Sequence, residues 1–451
     1  IAALGASWAG ATYVPLGLSL PPDRLKRVMA RCRLTALVTD AQGARLLSQE
    51  LLALSPASVH VLGPRPADDL APRVRWQPAQ ALAAELPQPP EPMGLRETAY
   101  IIFTSGSTGE PKGVMLPIGA VRHYVGHMVG FLGLSSSDRV LDMFELGFDV
   151  SVHNMLCTWA AGASLHLLPA AQAMNAVGFA RQHGITVWNS VPSLVAMLRQ
   201  VKALGPGVLP SLRLSSFGGE PVTASLVRAW QSAAPHSAIF NLYGPTEATV
   251  TCLGLRLQEP LPLLPGRELL PIGRPLQGCE AVLFDAQQQA LPVGQTGELA
   301  IAGPQLAQGY LEASELTAQR FVWRDGRRWY LSGDLAVQDD SGLFYCLGRV
   351  DHQVKVLGHR VELEDVDAHL QQLLDGTLVA TLPWPLQAGV AQGLVAFVGA
   401  PVDAVCALQA LRQRLPPYMV PSRLVALAQM PLNVNGKVDR RALQGLLEAG
   451  A

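Results

Sequence analysis

Residues Thr104-Ser105-Gly106-Ser107-Thr108-Gly109-Glu110-Pro111-Lys112-Gly113 follow directly on the apolar run at 99–103. Glycines let a ligand approach the backbone closely, hydroxyls and N–H groups donate to oxyanions, and a lysine supplies charge. That combination suits a phosphate. It is not the Walker pattern, which sets Lys between Gly and Ser/Thr, because Lys112 stands between Pro111 and Gly113. A nucleotide held outside the P-loop fold is the expectation. Taken alone, the segment equally fits an ordinary Gly/Ser loop.

Three further clusters carry chemistry. Asn241-Leu242-Tyr243-Gly244-Pro245-Thr246-Glu247 ends an apolar run with an aromatic ring, a Gly-Pro turn and a carboxylate. Tyr243 can stack on a purine, Asn241 can read its amino edge, and Glu247 can hold Mg²⁺, a hard cation that takes oxygen ligands. The same residues also make a plain strand-to-helix turn. Asp334, in Ser332-Gly333-Asp334-Leu335, can accept from both ribose hydroxyls or simply close a turn. Asn435-Gly436 between apolar residues signals a hairpin, on which Lys437 alone reads as a solvated strand lysine. His123 and His127 are four apart with no third ligand, and read as a helix-surface pair rather than a metal site.

The elements that must position these groups follow from composition and periodicity. At 451 residues, with 49% apolar and 15% charged, the chain needs two or more domains. A net charge of −1 without a basic block argues against non-specific nucleic-acid binding. Six scattered cysteines with no C-x-x-C disfavour zinc and disulfide frameworks and suit a reducing cytoplasm. No apolar run approaches ~18 residues, so no membrane span is read, and no signal peptide is visible. The chain opens on Ile1 within an apolar helix-like stretch, which reads as a fragment of a longer protein.

Strand-like runs at 34–38, 99–103, 238–242 and 298–301 alternate with helical periodicity at 176–183 and 225–233. This predicts an α/β fold with mainly parallel sheets. Residues 86–92, with four prolines, read as a surface linker. Near residue 350 the character changes. Val366, Leu370, Leu373 and Leu374 mark a helix that Gly376 stops, and a second helix over 405–415 follows a cap at Asp403. The last ~100 residues are expected to form a small α/β domain.

In this order, the clusters resemble the adenylate-forming superfamily, and within it the adenylation domains of nonribosomal peptide synthetases. The likeness covers essentially the whole chain. It runs from Thr12-Tyr13-Val14-Pro15-Leu16 through the loop at 104–113, Phe148-Asp149-Val150-Ser151, Tyr243–Glu247, Gly297-Glu298-Leu299 and Gly309-Tyr310-Leu311. It continues through Ser332–Leu335, Gly348-Arg349-Val350-Asp351-His352-Gln353-Val354-Lys355-Val356, Leu415–Pro421 and Asn435–Arg440. Two positions depart from the pattern: Gly17-Leu18 stands for Asp-Pro, and Leu331 for a basic residue.

The resemblance implies a large multi-subdomain core over 1–348, a hinge at 349–351 pivoting on Asp351, and a mobile C-terminal subdomain over 352–451. It implies that ATP activates an amino acid as its adenylate with release of pyrophosphate. A carrier protein's phosphopantetheine thiol then takes the acyl group as a thioester. Thr104, Ser105, Gly106, Ser107, Thr108, Gly109 and Lys112 would hold phosphates, and Glu247 would hold Mg²⁺. Tyr243, Asn241, Gly219, Glu220, Gly244 and Thr246 would serve the adenine end, and Asp334 and Arg349 the ribose. Lys437, with Lys112, Thr104 and Glu247, would be the catalytic group. Matching the family's pocket gives Asp149 for the substrate ammonium, then Val150, His153, Asn189, Ser215, Phe217, Leu242, Val250, Thr251 and Lys437. With Phe217 in the lining the pocket is expected to be shallow, and its polar members suit a small or medium neutral polar amino acid. Implied partners are the amino acid and a peptidyl carrier protein, with an MbtH-like activator protein left open. The alternatives are an acyl- or aryl-CoA ligase of the same fold, which would lack the Phe-Asp-x-Ser aspartate, and a non-catalytic nucleotide-binding relative.

Overall fold

The structure is a computed structural model that describes residues 2–56, 58–62, 74–77, 89–106, 110–265, 269–351, 353–387, 390–432 and 438–450. Its centre is a seven-stranded sheet. The strand order is Arg274–Pro275, Leu253–Leu257, Ala238–Tyr243, Leu214–Gly218, Val187–Ser190, Arg139–Asp142 and Ser164–Leu167. Pairing is parallel from Ala238–Tyr243 to Ser164–Leu167 and antiparallel at the other edge. Strands covered on both faces need no polar alternation, and all four residues of Val187–Ser190 are buried.

Helices cover the two faces of this sheet. Val177, Val195, Leu226 and Trp230 pack on one, and Tyr124, Met128 and Cys157 on the other. Helix Ala224–Ala233 starts where the Thr223 side chain accepts from Leu226 N–H, and helix Ile118–Leu132 stops at Gly133 with φ 62°.

Three further sheets belong to the core, one of them the parallel sheet of Ala36–Asp40, Ser58–Leu62 and Val74–Gln77. Thr98–Thr104 pairs antiparallel with Lys112–Pro117, placing Thr104 opposite Lys112. The phosphate-type loop is therefore the connection of a hairpin. Glu280–Phe284, Thr296–Ala302, Arg327–Gln338, Phe321–Arg324 and Phe344–Arg349 form an antiparallel sheet. After Arg349 the pairing changes sheet: Gln353–Val356 pairs with His359–Glu362, and Val379–Pro383 begins another sheet with Leu394–Val398 and Arg423–Ala426. Helices Leu363–Leu373 and Ala404–Arg414 pack with these strands through Val366, Leu370, Ala396 and Leu411.

The expected elements fall close to their observed bounds. Asp403 caps its helix, accepting from Val405 and Cys406 N–H at 3.1 and 3.0 Å. Residues 361 and 362 close the hairpin, and the helix marked by Val366 and Leu370 begins at Leu363. His123 and His127 both turn to Gln277, at 2.7 Å from its carbonyl and 3.2 Å from its side chain. The Asn435-Gly436 turn lies outside the described residues, although Leu432 and Val438 on either side form an antiparallel bridge.

Candidate active site

A cavity of about 210 Å³ opens where the parallel strands end, between the core and the 353–362 hairpin. Strand ends are where an α/β sheet leaves space, because the connections to neighbouring elements diverge there. Thr104, Asp149, Tyr243, Asp334 and Arg349 all line it.

One end of the cavity is acidic and aromatic. The Tyr243 hydroxyl donates to Asp334 Oδ2, and Arg349 Nη1 reaches Asp334 Oδ1 at 2.6 Å. Arg349 also grips Asp351 with two bonds, Nε–Oδ1 at 2.6 Å and Nη2–Oδ2 at 2.8 Å. This planar fork ties the last core strand to the residue where the chain leaves it. Gly333, at φ 76°, is required here, because a Cβ would stand 2.4 Å from Arg349 Nη2.

The phosphate-type loop forms the next wall. Thr104 Oγ1 is buried without a partner among the described residues, and a buried hydroxyl in that state suits a ligand. Ser105 Oγ donates to Arg360 O at 2.8 Å. Gly106 admits no side chain, since a Cβ would meet Glu110 O at 2.1 Å. Ser107, Thr108 and Gly109 lie outside the described residues. Lys112 is buried with its Nζ 3.2 Å from Glu362 Oε1. Burial, with Arg360 nearby, pulls its ammonium below the usual lysine range, opposed by Glu247 and Glu362.

Glu247 sits fully buried in the turn after strand Ala238–Tyr243. Its carboxylate takes bonds from Arg360 Nη1 and the Tyr310 hydroxyl, each at 2.8 Å. Burial alone would raise its carboxyl pKa. Arg360 and Lys112, with the Tyr310 bond, overcome that and hold it at about 2. Arg360 was not anticipated as a site residue, nor were Glu362, Gln353 and Lys355 from the same hairpin. Lys355 lines the cavity, where burial lowers its ammonium against the opposing pull of Asp334. The sequence signal was present in the run around Lys355, but it was read only for its hinge. The hairpin turns on Leu357 and Gly358, at φ 50° and 83°. Gly358 lies so close to Val191 that a Cβ would approach Cγ1 to 2.5 Å.

The other end of the cavity is lined by helix Asp149–Ala160 and the sheet. Asp149 stands in the first helical turn, where burial raises its carboxyl pKa and a bond from Thr246 opposes the rise. No basic side chain among the described residues forms an ion pair with it. Val150, His153, Asn189, Leu242, Val250 and Thr251 line the cavity as expected, as do Gly219, Gly244 and Thr246.

Of the residues expected at the adenine and the amino-acid pocket, four described ones do not line it, and neither do Gly106, Lys112 or Glu247. Ser215 and Phe217 point to the opposite face of their strand, where both meet Trp230. Successive side chains alternate across a strand, so the neighbours Ser216 and Gly218 line the cavity instead. The expectation of a shallow pocket blocked by Phe217 is corrected accordingly. Asn241 donates its Nδ2 to Pro271 O at 2.7 Å. Glu220 takes both Ser193 N–H and Oγ, at 2.8 and 3.0 Å, and supports the wall from behind. Lys437 lies outside the described residues.

Strand ends, an acid–aromatic–guanidinium cluster and a glycine-rich loop surround a cavity suited to a nucleotide. The chain belongs to the AMP-binding enzyme family, which it matches over residues 1–311. In class it is an ATP-dependent, amino-acid-adenylating ligase domain of the nonribosomal peptide synthetase type. Among particular relatives, it is 33% identical over 457 residues to Delta-poly-L-ornithine synthetase of Acinetobacter baumannii. It is 35% identical over 462 residues to Enterobactin synthase component F of Escherichia coli. These alignments take in 97% and 96% of this chain but 31% and 33% of those proteins, so the chain spans about a third of their length. The structure of the Vibrio cholerae adenylation domain AlmE, in complex with glycyl-adenosine-5'-phosphate, superposes with a TM-score of 0.86 at 31% identity, over 99% of this chain and 86% of that one. Among the described residues no helix is long and apolar enough to cross a membrane.

Proposed function

We propose that the chain joins the carboxylate of an amino acid to the α-phosphate of ATP, with pyrophosphate leaving, and then passes the aminoacyl group to the phosphopantetheine thiol of a carrier protein. The observation that carries this reading is Asp149: a buried carboxylate that forms no ion pair among the described residues, with Lys355 acting on it only through space, faces the same cavity as the Tyr243–Asp334–Arg349 cluster. A substrate ammonium compensates such a group, and a fatty or aryl acid does not. Asp149 thus favours an amino acid over the substrates of an acyl- or aryl-CoA ligase.

In this reading Tyr243 packs on the adenine, Asp334 and Arg349 hold the ribose, and the 104–109 loop with Lys112 holds phosphate oxygens. Glu247 is the carboxylate suited to Mg²⁺, a cation that would neutralise phosphate charge. Arg360 already holds Glu247, and Glu362 already holds Lys112. Metal and triphosphate therefore fit only when the hairpin has withdrawn, by rotation of residues 352–451 about Asp351. That rotation would bring Lys437 to the substrate carboxylate. The arrangement described above suits the second half-reaction, after pyrophosphate has left. A downstream or separate carrier protein completes the cycle, and an MbtH-like protein is a candidate activator.

The test is ATP–pyrophosphate exchange across the proteinogenic amino acids, with fatty and aryl acids in parallel. Exchange with one or a few amino acids is expected. Exchange with fatty or aryl acids alone would overturn the reading, and full exchange by Lys437→Ala would remove that residue from its role.

A further inference from the structure

Two hydrogen-bond relays behind the cavity floor each end in a donor that faces it. The first passes through His153. Tyr124 Oη lies 2.7 Å from His153 Nδ1. Cys157 Sγ is 3.6 Å from the same nitrogen. Burial keeps the phenol and the thiol protonated, the thiol being pushed up to about 12. A protonated phenol and a protonated thiol converge on Nδ1, so that nitrogen accepts and the imidazole proton resides on Nε2. Burial holds the ring neutral by depressing its pKa to about 4. Among the described residues no group bonds Nε2, and His153 lines the cavity.

The second relay starts at Asp142. An ionised carboxylate only accepts, so Asn154 Nδ2 donates to Asp142 Oδ1 at 2.9 Å. Asn154 Oδ1 then accepts from Asn189 Nδ2 at 2.6 Å, and Asn189 Oδ1 accepts from Ser216 Oγ at 2.5 Å. This fixes the orientation of each amide and leaves one Asn189 N–H for the cavity. Asp142, Asn154 and Tyr124 never touch the cavity, yet they decide what its floor offers.

We infer that the activated amino acid carries a neutral side chain ending in a hydroxyl or carboxamide oxygen, which accepts from His153 Nε2–H and Asn189 Nδ2–H. The inference rests on the amino-acid reading above and names the class of side chain for it. The floor, Val150, His153, Asn189, Ser216, Leu242 and Thr251, holds no formal charge. An ammonium or carboxylate there lacks a counter-charge. An aliphatic group leaves two buried donors unpaired, and such a loss discriminates more strongly than a missing methylene does.

The deciding experiment measures ATP–pyrophosphate exchange on the purified full-length protein with size-matched pairs: threonine against valine, asparagine against leucine, and with ornithine and glutamate. In the best-accepted size class, the hydroxyl or carboxamide member should exceed its aliphatic match by about ten-fold or more in kcat/KM. Equal or better use of the aliphatic member, or preference for a charged side chain, overturns the inference and leaves the proposed function standing. No exchange with any amino acid overturns both. Tyr124 is a positioning residue in this scheme. Tyr124→Phe should narrow the polar-to-aliphatic ratio by about ten-fold with the KM for ATP unchanged. ¹⁵N-histidine spectra should show a pure Nε2–H tautomer at His153 in the parent, which the variant loses. An Nδ1–H tautomer in the parent, or equal losses for both substrates in the variant, counts against it.

Discussion

At the residue scale, the cavity is organised by groups whose charge is left to be met. Asp149 is a carboxylate raised by burial that forms no ion pair among the described residues. Asp149→Ala should lower kcat/KM for the amino acid by about 100-fold, in keeping with ~3 kcal/mol for truncating one member of a buried charge pair. Steady-state exchange at varied amino acid and fixed ATP checks it. His153 makes a pH prediction. Its pKa is about 4 in the folded chain against a model value of 6.5, so on acidification the unfolded chain takes up the proton first. The stability it contributes is complete above about pH 6.5 and is lost as pH falls from there towards 4, a change on the order of 3 kcal/mol. Thermal melts across that window should show a shallower decline for His153→Gln than for the parent.

At the element scale, the 353–362 hairpin is the part that decides which chemistry the cavity can perform. Its turn needs two positive φ angles, and Gly358 fits against Val191 only because it has no Cβ. Gly358→Val should push the hairpin off the wall. The rate of aminoacyl transfer to a carrier protein should then fall by about ten-fold or more relative to the rate of exchange, as for strain of ~1–3 kcal/mol. Measuring both half-reactions on one preparation checks this, and an equal fall in the two would count against it. Helix Ala224–Ala233 offers a contrast. Thr223→Ala removes its cap and should cost about 1 kcal/mol in denaturant melts, because a cap acts on its own helix.

At the scale of the whole molecule, two buried ion pairs join the core to the C-terminal residues: Arg360 with Glu247 and Lys112 with Glu362. Each uses a group proposed for the metal or the phosphates. The docked hairpin and a bound magnesium pyrophosphate should therefore exclude one another. Labels placed on an exposed core position and on helix Ala404–Arg414 should change separation when Mg²⁺ and pyrophosphate are added together. Arg360→Gln with Glu362→Gln should already sit in the changed state without them. An unchanged separation in the parent would rule the competition out. Arg24 and Asp365, 3.3 Å apart and both buried, are a third tie across the same boundary, so removing the first two weakens docking without unfolding either part.

Much of this was legible in the amino-acid order. The run before Thr104, the turn after Tyr243 and the cap at Asp403 are local matters of periodicity, glycine freedom and side-chain-to-backbone bonding, and short-range physics decides them. The orientation of side chains on covered strands was not legible. Leu214–Phe217 is buried throughout, so no polar alternation marks which face meets the cavity, and Ser215 and Phe217 fall one residue out of register with Ser216 and Gly218. The ion-pair partners of Glu247 and Lys112 lie more than a hundred residues further along the chain, in a hairpin whose own sequence says nothing of where it docks. The sequence by itself determined which reactive groups exist and which turns present them. Only the tertiary structure decided which of them share a cavity, because burial, facing and long-range charge pairing arise when separate elements pack.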